Sequence, residues 1–79
     1  MRTNDVDLLW ASPEIGLWVA SAHRGSGVVH CGVIEEHPDG FHVIDDRGGR
    51  LSIEGTLAEA MDALYRADAR REQLSAVPA

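Results

Sequence analysis

The chain has 79 residues, of which 44% are hydrophobic and 25% charged, a globular composition on a length that holds one domain near the lower limit for a disulfide-free core. Thirteen acidic residues against seven arginines, with no lysine, leave a net charge of −6 and disfavour nucleic acid or anionic lipid as partners. The lone cysteine, Cys31, excludes an internal disulfide, and with no run resembling a signal peptide or a membrane span the chain reads as cytoplasmic without membrane association.

Residues 1–16 form an N-terminal segment open to two readings. In "TNDVDLLWA", Thr3 or Asn4 suits a helix cap, whereas Val6, Leu8 and Trp10 alternate as in a strand. Either element ends before "SPEIG", where Pro13 and Gly16 mark a turn. Residues 17–54 read as a β-meander whose turns set the registers. "RGSG" supplies a two-residue loop at Gly25 and Ser26, so Arg24 pairs with Gly27. That pairing groups Trp18, Ala20 and Ala22 with Val33, Cys31 and Val29 on one apolar face. In "HPDGF", Pro38 and Asp39 suit a type I turn and Gly40 the left-handed bulge position after it. His37 then lies opposite Phe41, Glu35 opposite Val43, and Val33 opposite Asp45.

A fourth, short strand is expected at "RLSI". A three-residue loop of Arg47, Gly48 and Gly49 turns Leu51 and Ile53 to the core, a two-residue Gly48–Gly49 loop turns them away, and the demand for core favours the first. Residues 56–71, "TLAEAMDALYRADARR", are the clearest helix. Thr56 and Glu59 make a capping box, Leu57, Ala60, Met61, Leu64 and Ala67 form one apolar stripe, and arginines gather late, as the helix dipole prefers. The stripe is expected to lie across Trp18, Cys31, Val33 and Val43, with residues 72–79 as a tail.

Chemistry is sparse. "HCGVIEEH" at 30–37 looks like a metal or catalytic cluster, but side chains alternate along a strand, so His30 and Cys31 point to opposite faces, as do Glu35 and Glu36. Cys31 reads as a small buried core residue, with no basic neighbour on its face to activate it. Ser26 is a hairpin tip, and "RGGR" at 47–50 a solvated turn. The face away from the helix carries His23, His30, His42, Glu36 and Asp46, with Glu36 opposite His42. Histidine–carboxylate pairing on a solvated face accounts for these residues better than zinc does. No nucleophile, base and orienting group share a face, so no catalytic residue, metal or cofactor is expected.

The same face carries aliphatic residues that one helix cannot cover. Either the N-terminal segment, with Val6, Leu8, Leu9 and Trp10, folds back over them, or the face docks a second copy or another protein through Leu17, Val19, His30, Ile34, His42 and Ile44. Histidines in such an interface weaken association as pH falls, an effect that the paired changes His30→Gln and His42→Gln are expected to remove.

The order of strands followed by a capped helix, with "GLWVAS", "DGFHVIDDRGGRLS" and "TLAEAMDAL", resembles the AP2-like N-terminal domains of tyrosine integrases and short actinobacterial proteins built the same way. The resemblance spans about residues 17–67 and rests on pattern. It implies a three-stranded sheet plus helix, whose sheet face in the integrase modules enters the DNA major groove through basic side chains. This chain departs from that: histidines, Glu36, Asp46 and aliphatics occupy the face, with Arg24 and Arg47 only at loops. The fold class expected is therefore α+β, a three- or four-stranded antiparallel β-meander with one C-terminal α-helix packed on one face. A non-catalytic protein-interaction module or homodimer is the leading functional expectation. The alternatives are a sheet that binds nucleic acid through Arg24, Arg47 and Arg50, and an acidic decoy of a DNA-binding protein presenting Glu35, Glu36, Asp39, Asp45 and Asp46.

Overall fold

A computed structural model of the chain describes residues 8–75. Five strands, β1 (Leu9–Glu14), β2 (Leu17–Arg24), β3 (Gly27–His37), β4 (Gly40–Asp45) and β5 (Arg50–Glu54), form one antiparallel meander in chain order, and α1 (Leu57–Ser75) packs over β3, β4 and β5. The class is α+β as expected, with five strands where three or four were expected. That strand comes from the N-terminal segment: residues 9–14 pair beside β2 and run through Pro13, where the register shifts between Ala11 and Glu14. An edge strand tolerates a proline because its outer side needs no ladder donor. The helix-cap reading at Thr3 or Asn4, and Val6, lie outside the described residues.

The β2–β3 hairpin turns at Gly25–Ser26, and its expected register holds from Arg24–Gly27 to Ser21–His30. Beyond that point Ala20 pairs with Gly32, which leaves Cys31 as the extra residue of a β-bulge. A side chain at Gly32 would place Cβ 2.5 Å from the Ile44 carbonyl oxygen and 2.8 Å from Leu64 Cδ1. The glycine exists to let the helix and β4 close on this point.

At the next turn the loop is Pro38–Asp39 alone, so His37 pairs with Gly40, Glu36 with Phe41, Glu35 with His42 and Ile34 with Val43. The expected three-residue loop and its pairings are thereby corrected. Gly40 serves a close approach too, since a Cβ there would meet the Glu54 carbonyl oxygen at 2.7 Å. The bulge and the tighter turn each shift parity by one residue. Their effects cancel at β4, so Val43 faces the helix as expected, but not on the outer half of β3. There Ile34 enters the core and Val33 leaves it.

The core is Ala20, Ala22, Cys31, Ile34 and Val43 beneath Ala60 and Leu64, flanked by Leu8, Trp10, Trp18, Phe41, Leu57 and Met61. Trp18 and Phe41 meet at 5.9 Å between ring centroids, inclined by 54°. In the last hairpin Asp45 Oδ1 accepts from the Arg47 and Gly49 amides at 2.9 and 2.8 Å, and the Asp45 amide donates to the Gly49 carbonyl. A second bulge follows, with Ile44 opposite Arg50 and Val43 opposite Ser52. It overturns the expectation that Leu51 and Ile53 both enter the core. Ile53 pairs with His42 on the far face at 39% exposure, and Leu51 stays on the helix side but 44% exposed.

Thr56 caps α1 by accepting the Glu59 amide at 3.1 Å. The helix continues to Ser75, past the expected end at Arg71, so its last turn contains no basic residue.

Candidate interaction face

Within the described residues no element lies across the sheet face opposite α1. The N-terminal strand widens that face at its edge instead of covering it. Antiparallel pairing aligns side chains into rows across the sheet. One row runs Ala11, Val19, Val33, Ile44 and Arg50; the next runs Glu14, Leu17, Glu35, His42 and Ile53; a third begins with Leu9, Ser21 and His30. Five of the expected contact residues, Leu17, Val19, His30, His42 and Ile44, fall in these rows.

Ile34 does not. It is fully buried against Val43 under the helix, because the bulge at Cys31 reverses the parity of everything after it on β3. Val33 takes its place, and Ile53 joins from β5, two residues that the turn-derived registers assigned to the core. The signal for Val33 was Gly32, since a glycine inside an apolar strand often marks a bulge, whereas Ile53 is turned out by the separate bulge at Leu51.

The polar groups collect at the two ends of the face. At the β3–β4 end, His37 Nε2 lies 3.0 Å from Glu35 Oε1, His42 Nε2 lies 2.8 Å from Asp39 Oδ1, and the two rings stack with centroids 4.0 Å apart. Glu36, expected opposite His42, pairs with Phe41 on the other face. The His42 hydrogen bond holds the Asp39 carboxyl below the usual carboxylate range, and the charge of His42 adds to the effect. At the opposite end stand His23 and His30, with Arg50 at the β5 end of the apolar row. His30 and His42 are therefore not neighbours. Among the described residues no group of three or more histidine, cysteine or acidic side chains is arranged to hold a metal ion. Cys31 is buried, with Sγ 3.8 Å from the Val29 carbonyl.

The helix side holds a pair that the sequence reading did not foresee. Arg24 Nη2 donates to Asp68 Oδ2 at 2.6 Å, with the side chains 22% and 1% exposed. Asp68 continues the spacing of Leu57, Met61 and Leu64 along the apolar stripe, and an acid at a stripe position was the available signal. The arginine that a nucleic-acid reading places at a free loop is thus engaged with the helix.

Comparison with protein families, with curated proteins and with solved structures finds no match to this chain. Among the described residues no helix is long and apolar enough to cross a membrane.

Proposed function

We propose that this chain is a small non-catalytic interaction module that docks through its open sheet face, with a second copy of itself as first partner. The observation that supports the reading most is the row Ala11–Val19–Val33–Ile44, an apolar band across four strands with no described element over it. The charge layout favours self-association. Glu14, Glu35 and Asp39 stand at one end of the face beside His37 and His42, with His23 and His30 at the other end and Arg50 at the β5 end of the apolar row. A two-fold axis in the interface, perpendicular to the strands, lays the carboxylate-bearing end over the partner's His23 and His30.

Five strands about 4.8 Å apart and about 20 Å long give a footprint of roughly 500 Å². A standard interface buries roughly 800 Å² per partner, so the dimer is weak and concentration-dependent.

Light scattering over a concentration series tests the reading. The mass is expected to rise from 8.6 kDa towards twice that value, and Val33→Glu to hold it at the monomer. A wild-type chain that stays monomeric at millimolar concentration overturns the self-association. The nucleic-acid alternative gains no observation here, because Arg24 is spent on Asp68 and the face carries Glu14 and Glu35 in the row beside its apolar band.

A further inference from the structure

The chain has four histidines, His23, His30, His37 and His42, and the strand registers place every one of them on the open face. Alternation along the strands does this locally. Ser21 lies opposite His30 and has His23 two residues on, while Glu35 lies opposite His42 and has His37 two residues on. Histidine is the side chain that ordinarily titrates between about pH 8 and 5. The side-chain protons gained in that range therefore land on one surface.

The fixed charges around them come from every part of the sheet. β1 supplies Glu14, β3 Glu35, the β3–β4 turn Asp39 and β5 Arg50. Arg24 of β2 is turned to the helix and Asp68, and Glu36 and Glu54 flank Phe41 on the helix side. Asp46 and Arg47, in the turn after β4, offset one another in charge. Three carboxylates against one arginine make the face acidic while the histidines are neutral; two protons balance it and four make it basic. The hydrogen bond from His42 holds the Asp39 carboxyl below the usual range, so Asp39 keeps its charge throughout. The chain as a whole behaves differently, because a net charge of −6 stays negative after four protons.

We infer that protons gate self-association through the open face, which closes most tightly in the middle of the histidine range and loosens on either side of it. The inference rests on the dimer proposed above. Two identical faces laid together repel while both carry an excess of one sign, and above the range that excess is carboxylate. Protonation at His23 and His30 sets cations against the partner's Glu14, Glu35 and Asp39, so association tightens as pH begins to fall. Protonation at both His37 and His42 puts two cations with ring centroids 4.0 Å apart opposite the partner's His23 and His30. Full protonation thus loosens the dimer, and the weakening expected of interfacial histidines belongs to this acid limb.

The test is sedimentation equilibrium on the full chain at about pH 8.5, 6.5 and 5.5 and one low ionic strength. Dimer affinity is expected to be at least about three-fold higher at the middle pH than at either end, with the contrast shrinking in high salt. Changing His23, His30, His37 and His42 together to glutamine is expected to flatten the profile while the circular dichroism spectrum stays that of the wild type. Affinity that climbs steadily to the lowest pH would assign the effect to the net charge of the whole chain and overturn the inference, as would a glutamine variant that keeps the wild-type profile. A dimer equally tight at all three pH values overturns the gating and leaves the interface standing. A monomer at every pH overturns both.

Discussion

Arg24, at the end of the second strand, and Asp68, three full turns into the helix, are forty-four residues apart in sequence and meet at 2.6 Å, with the carboxylate almost wholly out of water. The pair ties the tip of the longest hairpin to the helix. Among the described residues Asp68 is the one buried charged side chain.

Removing one member breaks the ion pair at the buried carboxylate, and breaking a buried pair costs about 3–5 kcal/mol. A domain of this length has roughly 4–12 kcal/mol in all. Arg24→Met is therefore expected to lower the urea midpoint severely. Arg24→Met with Asp68→Leu is expected to recover most of the loss, since well-packed apolar residues commonly match a buried ion pair. Equal midpoints for the single and double variants would contradict this.

The bulge glycine gives a second expectation. Gly32→Ala drives a methyl into the Ile44 carbonyl and Leu64, so a loss of about 1–3 kcal/mol is expected from overpacking. Gly27, also on β3, has open space around its Cβ position, and Gly27→Ala is expected to change stability by less than about 0.5 kcal/mol. Thermal unfolding of the two variants side by side checks the contrast.

Neighbouring residues on β3 are expected to part company. Ile34→Ala removes side-chain volume from a closed core and costs about 2–5 kcal/mol. Val33→Glu leaves the unfolding midpoint within about 0.5 kcal/mol of wild type and abolishes self-association. If instead Val33→Glu unfolded the chain and Ile34→Ala left it stable, the bulge would be misplaced.

The acid side of the stability profile carries a signature of Asp39. Its folded-state affinity for a proton is lowered by His42, so its contribution to stability is present above the ordinary carboxylate value of 3.8 and is lost as pH falls through the lower, folded value. His42→Gln removes the cause. Carbon-13 titration of the Asp39 carboxyl is expected to give a midpoint below 3.8 in the wild type and one near it in the variant. A midpoint that does not move would assign the effect elsewhere.

Local chemistry made some of this fold legible in the sequence. "RGSG" placed a hairpin tip and the register of its first four pairs, and Thr56 with Glu59 placed the start of the helix. The parity of the outer half of β3 was not legible. It depends on contacts far apart in sequence, Leu64 over Gly32 and Glu54 against Gly40, and a glycine needed for close approach looks the same in a sequence as one needed for a turn. The interaction face inherited the same error, which exchanged Ile34 for Val33, while the separate bulge at Leu51 hid Ile53. Asp68 was legible but unread, an acid at the spacing of Leu57, Met61 and Leu64.

The Cys31 bulge also determines where the chain tolerates a change in length. Deleting Cys31 would leave Ala20 opposite Gly32 and Val19 opposite Val33 in a regular ladder, with Val33 still outside and Ile34 inside, whereas deleting Val33 would turn Ile34 out of the core. An insertion at Ser26, beyond the last pair of the hairpin, only lengthens a loop. Substitutions can redraw the open face gradually, while the spacing from Gly32 to Gly40 must be kept residue for residue.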